Sequence, residues 1–407
     1  MNKLQSNKSY VFVERTQFEK LRDDLLTLST EKVYFHSVSD AEPYLFKSLP
    51  LSIILDEDFF LKHEVALYQA LRSNPALKFV PVIYIGNKSE AVELKLSHFS
   101  EVLFVANGLS ESVLPKMEEL ITTSVKIRLW GVRGSTPCAN FENIEYGGNT
   151  SCVEIVIPGM DELLILDSGT GIRNLGNFLH NSENDELSGH IYITHPHWDH
   201  IQGFPFFKPF YSRANTFAIH LPEQYRGGAQ EILSGHLTKT FFPVTLEMLD
   251  AKMDYITQEE GQSKNDFYSI EYMIANHPTK TAIYKVTIGN YKIIYAPDNE
   301  LPLESSPLRY LDRFESFIKG CDLLIHDGQF SMTEYKEKTG WGHSAWERVV
   351  EIAKKNEVKK LMITHHDPDS SDDKLHEVDK ELQNFQSSFE RIGLAKEGGE
   401  IRLPFNG

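Results

Sequence analysis

The sequence predicts an α/β protein in two units, a doubly wound parallel sheet over residues 1–124 and a strand-rich αββα sandwich over residues 125–407. Three observations predict it. The chain has 407 residues, more than the roughly 250 to 300 at which a single core stops growing. Up to about Ser124, strand-like and helix-like runs take turns, the pattern of parallel strands joined by crossover helices. From Val125 the pattern changes to short strands separated by glycine-rich turns. Hydrophobic residues make up 41% and aromatic residues 11%, enough for packed cores and contrary to a disordered chain.

In the first unit SYVFV, KVYFHS, LSIIL, KFVPVIYIG and EVLFVA read as strands, and QFEKLRDDLLTL, ALYQALRS and SVLPKMEELITT as helices. In the second, KIRLWGVRGSTP and the turn-rich EYGGNTSC lead into the strand-like VEIVI, LLILDSGTG and IYIT. FAIHL, SIEYMIA, TAIYKVTIG, YKIIYAPD, DLLIHDG and KLMITHH continue as strands, with LRYLDRFESFIKG and AWERVVEIAKKN as helices. SSDDKLHEVDKE reads as a solvated helix start. The sequence shows no solenoid-type repeat and no low-complexity segment.

Acidic residues outnumber basic ones 58 to 41, a formal charge of −17, which repels polyanions and disfavours long nucleic acid as a partner. The start of the sequence has no apolar run of signal-peptide type, and no segment approaches the ~18 apolar residues of a membrane span. The expectation is a cytoplasmic protein. Cys138, Cys152 and Cys321 are widely spaced and form no Cys-x-x-Cys pair, so they read as buried reduced thiols.

The chemistry is concentrated where IYIT ends at Thr194. There His195, His197, Asp199 and His200 bring three imidazoles and a carboxylate within six residues. Surface histidines do not account for such density. Imidazole nitrogen and carboxylate oxygen are preferred ligands of zinc and related divalent ions, and a loop at a strand end turns alternate side chains toward different ions.

The His-x-His-x-Asp-His stretch after a β-strand closely resembles the signature of the metallo-β-lactamase superfamily, and the resemblance runs from about Val125 to the C-terminus. It implies a hydrolase with two metal ions. His195, His197 and His277 would hold one, Asp199, His200 and His365 the other, and Asp298 would bridge them. His366 is an alternative to His365. Zinc, manganese and iron all suit such donors, with zinc expected first. Asp167, in LLILDSGTG, resembles the carboxylate that orients ligating imidazoles in that family. Two metals lower the pKa of bound water, so hydroxide is available for attack.

DLLIHDGQFSMTEY, GWGHSAWERVVEIAKKN and VKKLMITHHDP resemble the branch holding tRNA 3′-processing endonucleases and phosphoribosyl cyclic phosphate phosphodiesterases. His343 stands where that branch places its Gly-His-Ser histidine, with the expected role of contacting the phosphate and protonating the leaving alkoxide, and Asp327 in the preceding IHDG is the carboxylate expected to orient it. RLWGVRGSTPCANFENIEYGGNTSCVEI resembles the opening of the cyclic phosphate relatives, so Arg133, Ser135 and Asn149 are candidate pocket residues. The expected substrate is a small phosphodiester, a cyclic nucleotide or another cyclic phosphate. A thioester, ester or lactone hydrolase, an RNA-processing nuclease and a metal-bound sensor remain as alternatives.

The first unit resembles a response-regulator receiver domain, with Asp56 in LSIILDEDFF at the place of the phospho-acceptor. Only Glu14 stands for the acidic pair, IYIGNKSE has glycine and asparagine directly after its strand where the hydroxyl residue is usual, and EVLFVANG lacks Lys-Pro. Phosphoryl transfer depends on such charges, so the expectation is an interaction module for a signalling partner or a second copy.

Overall fold

The computed structural model describes residues 8–404 except 16, 19–24, 26–29, 46–49, 90, 93–95, 97–101, 106–122, 182–185 and 304–307. Most of the helix expected over 17–28, and nearly all of that over 112–123, lies outside the described residues.

The first sheet comprises β1 (Lys8–Phe12), β2 (Glu31–Phe35), β3 (Ser52–Asp56), β4 (Val82–Ile85) and β5 (Val102–Val105) in the order β2-β1-β3-β4-β5. All four pairings are parallel, the doubly wound order 2-1-3-4-5. Strands covered on both faces need near-continuous apolar runs, and Ile53, Ile54, Leu55, Val82, Ile83 and Tyr84 supply them. Asp56 ends β3 and caps the helix Glu57–Ser73 through the Phe59 N–H at 3.2 Å. Burial raises the Asp56 carboxyl above its ordinary range. Glu14 is paired with the Lys62 ammonium at 3.0 Å and lies 3.3 Å from His63.

Among the described residues two seven-stranded sheets form the rest. One contains β6 (Ser124–Gly131), β7 (Cys152–Val156), β8 (Leu163–Leu166), β9 (Ser188–Tyr192), β10 (Thr216–Pro222) and β11 (Lys252–Gln258). The other contains β12 (Gly261–Lys264), β13 (Ser269–Ile274), β14 (Ala282–Ile288), β15 (Tyr291–Ala296), β16 (Leu323–Asp327), β17 (Lys360–Thr364) and β18 (Arg391–Leu394). The last strand, β19 (Glu400–Pro404), returns to the first of these sheets and pairs antiparallel with β6.

Alternation along β6 explains how these layers stack. Val125, Ile127 and Leu129 point between the two sheets, into a core with Tyr272, Val286, Ile293 and Ile325. A second core lies between the outer face of β15–β17 and the helices Leu308–Ile318 and Trp346–Lys355, through Phe314, Val349 and Val350. Lys126, Arg128 and Trp130 face the other way and are buried as well. Arg128 lies 2.8 Å from Glu400 and 3.5 Å from Glu154, while the Trp130 indole N–H donates to Glu154 at 3.0 Å.

The turn Pro75–Phe79 from the first unit covers this face. Phe79 meets Trp130 edge-on at 4.6 Å, and the Arg128 guanidinium lies 5.4 Å from the Phe79 ring. One hydrophobic cluster therefore runs from Tyr84 and Phe60 through Phe79 to Trp130, Leu175 and Phe178. Cys152 and Cys321 are buried and Cys138 half-buried, all free thiols. No described helix is long and apolar enough to cross a membrane.

Candidate active site

Parallel strands end together at one edge of the sandwich, and the loops leaving them carry the polar side chains. Asp167 follows β8, the 195–200 segment follows β9, Asp298 follows β15, Asp327 ends β16 and His365 follows β17. His277 comes from the loop joining β13 and β14. Asp167 and His365 have φ of +62° and +63°, a conformation that costs a non-glycine residue free energy and marks positions held by their surroundings.

These side chains form two triads. The ligand atoms of His195, His197 and His277 lie within 4.8 Å of one another, as do those of Asp199, His200 and His365. Asp298 stands between the triads. One of its oxygens is 3.9 Å from His195 Nε2 and 4.0 Å from His277 Nε2, the other 2.9 Å from His200 Nε2 and 3.4 Å from His365 Nε2. His195 Nε2 is buried without a hydrogen-bond partner, and His200 Nε2 and Asp298 Oδ2, though close to each other, are buried without a contact of hydrogen-bond geometry. Buried polar atoms are rarely left so, and this donor set is that of a divalent ion site; the residues fit two metal ions.

The charges follow from this crowding. Burial opposes ionisation of Asp199 and Asp298, yet the surrounding histidines outweigh it and hold both carboxyls well below their usual range. Burial disfavours a proton on His200, but Asp199, Asp298 and Asp167 raise it well above its ordinary value. His365 is raised to about 9, with Asp298 and Asp199 overcoming burial. His195, with fewer carboxylates around it, is driven well below by burial. A cation bound by these donors would displace protons, because ligating imidazoles must be unprotonated.

The ligand candidates are held by a second layer. Asp167 lies 2.8 Å from His200 Nδ1 and accepts from the Thr194 N–H at 2.7 Å and the Tyr295 hydroxyl at 2.9 Å. The Gly342 carbonyl is 3.1 Å from His277 Nδ1. A Cβ on Gly342 would lie 2.2 Å from that nitrogen, and one on Gly134 2.3 Å from His365 Nδ1. Glycine is required at both by close approach.

Of the pocket candidates, Ser135 lines the cleft and its N–H donates to Asp199 at 2.8 Å. Arg133 and Asn149 are not brought there. Arg133 is fully buried, and its guanidinium donates to the carbonyls of Gly147, Asp367 and Ser370, tying together the loops behind the site. Asn149 is bound through backbone and side chain to Glu397. Loop arginines and asparagines bind loops as readily as ligands, and sequence does not separate the two. His366 turns away from the cleft to the Ala395 carbonyl at 2.7 Å, and burial pushes it down to about 3.

His343 lines the cleft beside Asp298 and His365, with its Nδ1 2.9 Å from Asp327. Glu300, which the sequence reading did not single out, holds this loop. It accepts from the N–H groups of Gly340 and Gly342 and from the Tyr335 hydroxyl at 2.7 Å. Its signal is faint: an acidic residue two places after Asp298 reads as a solvated strand end. The cleft between the triads and His343 has a volume of about 420 Å³ and is lined also by Pro196, His197 and Trp198.

This fold and this donor set define a metal-dependent hydrolase. Residues 164–366 match the family described as the Beta-lactamase superfamily domain, and this part of the chain belongs to it. Among curated proteins, the chain is similar to ribonuclease Z of Porphyromonas gingivalis, 25% identical over 288 residues, covering 61% of this chain and 92% of that protein. Ribonuclease Z of Bacillus subtilis is 23% identical over 228 residues, covering 47% and 74%. Among solved structures, the metallo-β-lactamase fold protein YhfI of Bacillus subtilis matches with a TM-score of 0.50 at 20% identity, over 69% of this chain and all of that one, a likeness of fold.

Proposed function

We propose that the chain is a phosphodiesterase that hydrolyses a small phosphodiester, a cyclic nucleotide or another cyclic phosphate, with two metal ions, zinc first among the candidates. The observation that carries this reading is His343, which lines the cleft with Nδ1 hydrogen-bonded to Asp327 at 2.9 Å. An alkoxide leaving group needs a proton, and a histidine beside the reacting atoms, oriented by a carboxylate, supplies it. Acyl substrates depend less on such an acid.

When bound, the metal ions supply Lewis acidity toward the phosphate and lower the pKa of water. His195, His197 and His277 would hold one ion, Asp199, His200 and His365 the other, with Asp298 between them. By accepting from His200 Nδ1, Asp167 leaves Nε2 unprotonated and facing Asp199 and Asp298. The Gly342 carbonyl does the same for His277. His343 keeps Nδ1–H on Asp327 and hands the Nε2 proton to the departing oxygen as the P–O bond breaks, so water is added across that bond.

A cleft of about 420 Å³ suits a small ligand, and a charge of −17 opposes a long polyanion. A second reading, RNA processing, is favoured by the names of the curated relatives. Turnover of 2′,3′-cyclic and 3′,5′-cyclic nucleotides against a precursor tRNA by metal-loaded protein tests the choice; cleavage of the RNA alone refutes the small-substrate reading. We also propose that residues 1–124 form an interaction module, since Lys62 already neutralises Glu14 beside Asp56.

A further inference from the structure

The chain has four tryptophans. Trp130 and Trp346 are buried, whereas Trp198 and Trp341 are 75% and 61% exposed. Both exposed indoles belong to the loops that carry the candidate site. Trp198 sits between His197 and Asp199 and lines the cleft. Trp341 sits between the glycine whose carbonyl meets His277 and the glycine before it, two residues ahead of His343.

Neither indole is on a slack segment. Trp198 opens a helical turn, Trp198–Ile201, that is closed by the Gln202 N–H on the Trp198 carbonyl. The Trp341 N–H donates to the Lys338 carbonyl at 3.1 Å, and its glycine neighbours, at φ +86° and +93°, are clamped by Glu300. The Lys338 ammonium lies 5.9 Å from the Trp341 ring and 4.1 Å from Phe330, which packs 6.0 Å from His343. Trp198 is a large apolar ring exposed to water in the lining of a polar cleft, and Trp341 is one carried on the loop that leads to His343; exposed apolar rings at such places are binding surfaces. Every nucleobase has a π-face that stacks on such rings regardless of sequence.

Resting on the phosphodiesterase reading, we infer that Trp198 and Trp341 are the specificity residues of this site and stack the nucleobase of a nucleotide substrate at the mouth of the cleft, while its phosphodiester lies at the metals. This selects nucleotides over cyclic sugar phosphates, which offer no aromatic plane.

The test uses metal-loaded full chain and two diesters with one leaving group, thymidine 5′-(p-nitrophenyl phosphate) and methyl p-nitrophenyl phosphate. Wild type prefers the base-bearing diester in kcat/KM. Trp198→Ala and Trp341→Ala each lower that preference about tenfold, and Trp341→Phe retains most of it. A preference unchanged in both alanine variants overturns the inference. In parallel, AMP quenches tryptophan fluorescence saturably and ribose 5-phosphate does not; equal affinity for the two overturns it in favour of a sugar platform. If wild type cleaves neither diester, the phosphodiesterase reading has failed. Quenching by AMP that both alanine variants abolish then still supports base stacking, and no quenching refutes it.

Discussion

One carboxylate, Asp167, decides which nitrogen of His200 faces the cleft. It is fully buried, its own φ is positive, and it gathers the Thr194 N–H and hydroxyl, the Tyr295 hydroxyl and His200 Nδ1. Asp167→Asn offers His200 a donor in place of an acceptor, and metal affinity should fall about 10- to 100-fold, the scale of lost orienting partners, in competition with a chromophoric chelator. His343→Ala should keep both metals yet lower turnover about 10²-fold, as loss of a general acid does; Asp199→Ala should lose metal instead. Metal analysis beside turnover separates the two, and equal metal loss contradicts the assignment of His343. The histidines were legible because six residues hold four donors at a strand end. Glu300 and Gly342 were not, because what they do depends on a loop more than forty residues away from Glu300 folding back onto it.

At the scale of elements, strands buried on both faces announced themselves as apolar runs, as with β3, β8, β15 and β17. The edge strands β11 and β12 did not, since exposed Lys252, Asp254 and Gly261–Lys264 carry no such run, and β19 was hidden because its partner β6 is more than 270 residues away. The pairing of β9 with β10 also places His190 Nδ1 3.0 Å from His220 Nε2, with Tyr192 stacked 4.1 Å from the His220 ring. Burial and then His190 push His220 down to about 3. Its pKa is lower folded than unfolded, so between pH 6.5 and 3 the unfolded chain binds more protons and stability falls with falling pH. From pH 6.5 to 5 the loss from His220 is about 2 kcal/mol. His220→Phe should flatten that slope in urea unfolding at the two pH values; an unchanged slope would show that the pair does not titrate with folding.

The molecule as a whole is joined across the outer face of β6, where Phe79 of the first unit covers Arg128 and Trp130. β6 then runs on through Gly131 to Ser135, whose N–H reaches Asp199, so one strand connects the contact between units with the cleft. No periodicity in the sequence reports this contact, because both partners read as ordinary core residues of their own units. Phe79→Ala removes a buried ring and should destabilise the chain by about 3–5 kcal/mol, seen as a lower urea midpoint. An unchanged midpoint would mean that the units unfold without sensing each other.

The most direct measurement of the central claim is turnover of bis(p-nitrophenyl) phosphate by metal-analysed protein supplied with zinc or manganese, beside His197→Ala. The account predicts two metal ions per chain and phosphodiester cleavage that requires them and is lost in His197→Ala. Two bound metal ions with cleavage of a thioester and none of any phosphodiester would contradict it.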